Sequence, residues 1–174
     1  MSCISNALKG LTNDCELSMG GIKRVWIADY KAGAASMSGT TGEIGAISAD
    51  CTFYEFYIRK NTSSFTSTLN RDDAAGYNYV STELALVFSK METKKRIEMS
   101  ALCSGDFMCI VEDANGVKWF LGFDEACTAS AGTGETGTSK QDGNKYTLTI
   151  SNDSQDWLYA LNADATFTVY TAGQ

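Results

Sequence analysis

Any catalysis by this chain would have to proceed without histidine, because none occurs among its 174 residues. That absence removes Ser-His-Asp triads, Cys-His dyads and His-bearing metal sites together. Ser-Lys dyads and paired carboxylates remain chemically open, but no spacing along the chain favours either. The nearest approach to a metal motif is Asp113-Ala114-Asn115-Gly116, which resembles part of a calcium loop. The acidic ligand that should close such a loop is missing, since Asp124 stands at the wrong spacing. Six cysteines lie at positions 3, 15, 51, 103, 109 and 127, and none forms C-x-x-C. Cys109, inside an alternating apolar run, and Cys103, at the end of a helical pattern, read as buried free thiols. These residues predict no enzyme, no cofactor and no metal.

Composition directs attention to assembly. The net charge is −7 and the sequence pI about 4.5. Such a chain is not drawn to DNA or to an anionic membrane by charge, although it suits the lining of a channel through which DNA slides. No segment is long and apolar enough to span a membrane. Met1-Ser2-Cys3 leads to Asn6 and Lys9 without a long apolar run, so no signal peptide is expected. The thiols are then expected to stay reduced in the cytoplasm where the chain is made. Without a Pro-rich linker or a long charge block, residues 1–174 are expected to form one domain.

The elements that would carry any function begin with Met91–Phe123. Phe107, Cys109 and Val111 alternate with Met108 and Ile110; Val117, Trp119, Leu121 and Phe123 alternate with Lys118, Phe120 and Gly122. Period two with aromatic and β-branched residues predicts two strands. Asn115-Gly116 between them tolerates the positive φ of a primed hairpin turn. Before the hairpin, a helix is expected to start at Thr93, to bury Ile97, Ala101 and Leu102, and to stop at Gly105. Lys94, Lys95 and Arg96 set positive charge against the positive end of that helix. They read either as a solvated basic face or as a contact to acidic groups on a neighbouring subunit.

Further strands are expected over Ile22–Tyr30, with Val25 and Ile27 on one face and Trp26 on the other, and over Glu43–Ala49. Lys31–Gly42 reads as a loop. Thr52–Leu69 reads as one long β region with aromatics on both faces: Tyr54, Phe56 and Ile58 against Phe53 and Tyr57. Such a strand is either covered by a helix or placed at a subunit interface, where aromatics are enriched. Asn70–Gly76 is a turn, and Tyr79–Phe88 a strand with Val80, Thr82, Leu84, Leu86 and Phe88 inward and Ser81, Glu83 and Ala85 outward. Residues 1–21 read as an N-terminal arm. Thr128–Asn144, rich in Gly, Ser and Thr, reads as a flexible loop. It is either a plain hairpin tip or a loop that orders on a neighbour, with Gly132, Gly134, Glu135 and Lys140 as its contact residues. Lys145–Ile150, Trp157–Leu161 and Thr166–Tyr170 complete the strands. The fold class expected is mainly β, an antiparallel β-sandwich or barrel with one flanking α-helix.

The strings GGIKRVWIADY at 20–30, TSSFTSTLNRDDAAGYNYVSTELALVFSKMETKKRIE at 62–98, IVEDANGVKWFLG at 110–122 and TASAGTGETGTSKQDGNKYTLTI at 128–150 carry a resemblance. Together with the order strand, strand, helix, hairpin, Gly-rich segment and strand, the chain resembles the phage tail-tube family, which shares its fold with type VI secretion tube proteins and tail-ring proteins. Its wording is similar to virion structural proteins of Bacteroides-infecting phages, including crAss-like phages. The resemblance implies a virion protein of the tail or neck. It implies a homo-oligomeric ring, six- or twelve-fold, beside other tail, portal or collar proteins, without stable nucleic-acid binding or membrane contact. A channel for DNA ejection would have an acidic lumen, for which Glu83 and Glu55 are the candidates, while Lys94, Lys95 and Arg96 face a neighbour. A tube and a single collar ring are both compatible with it. The alternative is a receptor- or carbohydrate-binding β-domain, such as a fibre or head decoration.

Overall fold

The computed structural model describes Leu11, residues 18–39 and residues 42–170. The expected N-terminal arm therefore lies largely outside the described residues, as do Cys3 and Cys15. Twelve strands and one helix follow in the order β1 (Ile22–Asp29), β2 (Ala35–Met37), β3 (Ile44–Ile47), β4 (Thr52–Phe56), β5 (Ser64–Asp72), β6 (Tyr77–Ser89), α1 (Thr93–Leu102), β7 (Phe107–Asp113), β8 (Lys118–Leu121), β9 (Thr128–Glu135), β10 (Lys145–Ser154), β11 (Tyr159–Ala160) and β12 (Thr168–Tyr170). The protein is mainly β. A six-stranded sheet, β11-β8-β7-β1-β4-β12, faces a four-stranded sheet, β5-β6-β10-β9, and β2 and β3 form a separate hairpin. Neither large sheet closes into a barrel. All pairings are antiparallel except β12 on β4, which is parallel.

Two cores result, one on each face of the six-stranded sheet. Val25, Ile27, Cys109, Val111 and Leu121 meet Leu84, Leu86, Phe88, Leu148 and Ile150 of the four-stranded sheet. Trp26, Ala28, Met108, Ile110 and Phe53 point the other way, onto Ile44 and Ile47 of the β3 segment and Leu161 and Ala165. This explains why β1 and β7 read as nearly continuous apolar runs: both are central and covered on both sides. The aromatics on both faces of β4 have the same origin in part, since Phe53 packs into the second core while Phe56 packs against the first. The second half of α1 lies beside Tyr54 and Phe56 across a shared hollow. A bulge between Ile22 and Arg24 rephases β1, so that Ile22 shares the core of Val25 despite an odd spacing.

Several expectations are corrected. The region Thr52–Leu69 is two strands in different sheets, separated at a corner where Asn61 takes φ 59° and Arg59 N–H donates to Val87 O at 2.7 Å. The hairpin after β7 uses no primed turn. Gly116 N–H donates to Asp113 O at 3.1 Å and Asp113 N–H to Val117 O at 2.9 Å. Only Gly116 of that turn has positive φ, at 90°. That is a type I turn closed by a glycine bulge. Glu92, in extended conformation, rather than Thr93, takes the N-cap position, and its side chain makes no capping hydrogen bond. The inward residues of the helix are Met99 and Leu102; Ile97 and Ala101 face solvent. The expected apolar stripe was displaced because Lys95, half-buried, takes the preceding inward position and donates to Ser89 O. The helix thus flanks the sandwich, as expected, but only through its second half.

The largest correction concerns Thr128–Asn144. Its first half is no loop: Thr128–Glu135 is β9, paired with β10 from Lys145↔Glu135 to Ser151↔Thr128. Its glycines are there for space. A Cβ on Gly134 would lie 2.8 Å from the Tyr146 ring, and one on Gly132 would lie 3.3 Å from Thr147 O and 3.7 Å from the Leu148 side chain. Large side chains of β10 lie across the strand, and glycine lets the backbones approach beneath them. Only residues 136–144 connect β9 to β10.

Candidate functional site

Among the strands of eight or more residues, β9 is the most exposed. It forms one edge of the four-stranded sheet, and β5 forms the other. Seven of the eight β9 residues are exposed, Ala129 being half-buried. Edge strands in soluble proteins are usually blunted by lysine, proline or a covering segment. β9 has neither Lys nor Pro, and its single charge, Glu135, stands at its end, where the carboxylate meets Lys145 Nζ at 2.8 Å. One bulge, at Ser130, interrupts its pairing with β10. The outward face of this sheet is lined with small hydroxyls: Ser64, Thr66 and Thr68 on β5, Thr147, Thr149 and Ser151 on β10. Thr133 and Thr147 hydroxyls lie 2.7 Å apart across the strands. Glu83 opens onto this face, with Thr66 on one side and Ser151 on the other.

The segment before α1 meets the end of the β9–β10 connection. Lys90 N–H donates to Asn144 O at 2.7 Å, and Met91 N–H to Asn144 Oδ1 at 2.6 Å. The segment leading into α1 is thereby tied to the β9–β10 connection, with the Met91 side chain beside Gly134. Lys95 is not free, since its ammonium meets Glu92 at 3.1 Å. Beside that cation, and to a lesser degree Lys90, the Glu92 carboxyl is held below its ordinary range. Lys94 and Arg96 are exposed and enter no ion pair among the described residues. The connection itself is ordered by Asp142, whose Oδ2 accepts from Thr138 N–H at 2.9 Å, the Thr138 hydroxyl at 3.0 Å and Ser139 N–H at 2.7 Å. Those donors, Ser139 first, pull the Asp142 carboxyl below its usual value.

Glu55 does not join Glu83. It stands on β4 opposite Trp26, on the face of the six-stranded sheet that turns away from the four-stranded one. Asp113, considered above for calcium, spends its carboxylate inside the chain: Oδ1 accepts from Asn115 N–H at 2.8 Å and Val117 N–H at 3.0 Å, and Oδ2 from the Trp119 indole at 3.2 Å. Cys103, at the C-cap of α1, is exposed, against expectation; Cys51, Cys109 and Cys127 are buried. Burial, with Cys127 alongside, pushes the Cys109 thiol well up.

Sequence reading missed the second open edge, β5, by fusing it to β4. The polar string Lys60-Asn61-Thr62 was the available signal, since Asn tolerates left-handed backbone. It also missed a hollow under α1, whose lining comes from four separate elements. Compared with known proteins, the chain matches no family model and no curated protein.

Proposed function

We propose that this chain is a structural subunit that assembles with copies of itself into a ring of the phage tail-tube or tail-ring kind, around a channel for DNA. The observation that carries the reading is the pair of open edges on one sheet. β5, β6, β10 and β9 alternate in direction, so β9 of one copy and β5 of the next, related by rotation about an axis along the strands, would meet antiparallel. A contact between two different surfaces repeats, and closes into a ring when the rotation divides the circle. The hydroxyl-lined outer face would then form a continuous wall. Glu83 and Asp153 stand on it without a cation partner among the described residues, and its one lysine, Lys145, is neutralised by Glu135. A wall of that kind repels phosphate and holds water, which favours passage over binding. Under this reading Glu83 is a lumen residue and Glu55 is not, and the basic residues of α1 lie off the wall.

The test is the oligomeric state of the purified full chain by mass photometry and negative-stain microscopy. Closed rings are expected. A double variant, Ala131→Lys with Thr133→Lys, places two lysines on β9 and should leave a folded monomer. A wild-type chain that stays monomeric at every concentration, or a double variant that forms the same rings, would overturn the reading.

A second reading, a saccharide-binding module, has one observation in its favour. Tyr54 and Tyr170, both about half exposed, pack with ring centroids 5.1 Å apart and planes tilted by 41°, and Tyr54 borders a polar hollow with Asp29 and Asp50. A monomer that binds glycans through these rings would support it over the ring.

A further inference from the structure

A cavity of about 320 Å³ opens between the second half of α1 and the adjoining ends of β1, β4 and β7. Its floor is apolar, made by Ile27, Phe56 and Leu102, and its rim carries Asp29, Glu98 and Asp106. All three carboxylates are on exposed residues, and none is in an ion pair among the described residues. No lysine or arginine among the described residues lines the cavity. At the other end of the same ten-residue helix, Lys94 and Arg96 are exposed and equally unpaired. Ile97, beside them, is 55% exposed, an apolar side chain with nothing to cover it. Ten residues of helix span about 15 Å, so one element bears a cationic, apolar-tipped first turn and, one turn further on, the rim of an anionic, apolar-floored hollow.

We infer that the hollow receives the first turns of α1 from a second copy of this chain, with Ile97 of that copy on the apolar floor and its Lys94 and Arg96 against Asp29, Glu98 and Asp106. The occupant is argued from charge and shape on one chain. Three acids without cations face outward from an apolar floor, and two cations without acids flank an exposed isoleucine. Opposite charge steers and selects partners, and like charge in the same place rejects them. Within the ring proposed above, the first turn of one copy meets the hollow of the next, and the contact passes from copy to copy. The inference rests on the self-assembly proposed above and names a second contact within it, apart from the sheet edges.

The test is a charge exchange in the full chain. One variant carries Glu98→Lys with Asp106→Lys, the other Lys94→Glu with Arg96→Glu. Each alone sets like charges against each other, and should raise the concentration at which half the protein is assembled by about tenfold or more at low salt. An equimolar mixture restores opposite charges at every contact of an alternating assembly, and should return assembly to within about threefold of wild type. All substituted residues are exposed, and circular dichroism checks that each variant folds; if the lysine pair does not fold, Glu98→Gln with Asp106→Asn replaces it, with the same direction of effect. Wild-type rings with single variants that assemble normally, or a folded mixture that stays unassembled, would overturn this inference alone. A wild-type chain that does not assemble would overturn the ring reading and this contact with it.

Discussion

Replacing Asp113 with alanine removes the acceptor of three hydrogen bonds at once, those from Asn115 N–H, Val117 N–H and the Trp119 indole. Asn115 and Val117 are exposed, so water can replace the carboxylate, and each bond contributes about 0.5–1.5 kcal/mol net. Trp119 is half-buried and its ring packs against Phe65 at 6.2 Å, so its N–H is harder to rehydrate and adds about 1 kcal/mol or more. The expected loss is therefore about 2–4 kcal/mol, a fall of roughly 1–2 M in the urea midpoint for a small domain. Asp113→Asn keeps one carbonyl oxygen for the two backbone donors, and should cost about half as much. Urea titrations followed by circular dichroism and by tryptophan fluorescence measure both, provided the wild type is compared at equal protein concentration. An alanine variant within about 0.5 kcal/mol of wild type would refute the assignment of Asp113 as the organiser of this hairpin.

Leu84→Ala, at a fully buried position between the sheets, should cost about 3–5 kcal/mol, whereas Ile97→Ala on the exposed side of α1 should cost no more than about 0.5 kcal/mol in the monomer; chemical denaturation reads both. Alkylation of the native chain followed by peptide mass analysis should label Cys103 rapidly and leave Cys51, Cys109 and Cys127 unmodified until denaturant is added. The lowered Asp142 carboxyl stabilises the turn at 138–142 fully above its unfolded value of about 3.8, and that contribution is lost as pH falls through the folded value. The amide shifts of Thr138 and Ser139 should therefore titrate with a midpoint below 3.8, and a midpoint at or above it would contradict the bonding described. Rings of the variant Glu83→Lys with Asp153→Lys should retain DNA in a salt-sensitive manner that wild-type rings do not show, measured by filter binding across a salt series.

The core strands were legible in the sequence because their burial is periodic. Val80, Leu84, Leu86 and Phe88 on β6, and the two alternating sets of β7, fall where period two puts them. Elements whose character is set by a neighbour were not. β9 looks like a loop because its residues are small, and at Gly134 and Gly132 the space is taken by the Tyr146 ring and the Thr147 carbonyl; that reason belongs to β10. The inward face of α1 was misplaced for a similar cause. Lys95 reads as a solvent residue until Ser89 O and Glu92 are known to receive it. The hollow beneath α1 had no linear signal at all, since Asp29, Glu98 and Asp106 meet only through the pairing of β1 with β7.

The Ser130 bulge narrows how a second copy would use the β9 edge. A bulge raises local twist and breaks the regular row of outward N–H and C=O groups. It lies between Ala129 and Ala131, so the regular part of the edge runs from Ala131 to Glu135. Five residues admit a short antiparallel pairing, and short pairings are weak alone. An edge that accepts a partner over a few residues resists unlimited sheet stacking, because each added strand must find the same short register. Such an edge needs a second contact to hold a neighbour firmly and to fix its angle. The contact inferred above, between the basic first turn of α1 and the acid-rimmed hollow beside its second half, would be one of that kind. Two weak, distant contacts that must be satisfied together restrict the rotation between copies far more than either does alone, and a restricted rotation is what separates a closed ring from an irregular aggregate.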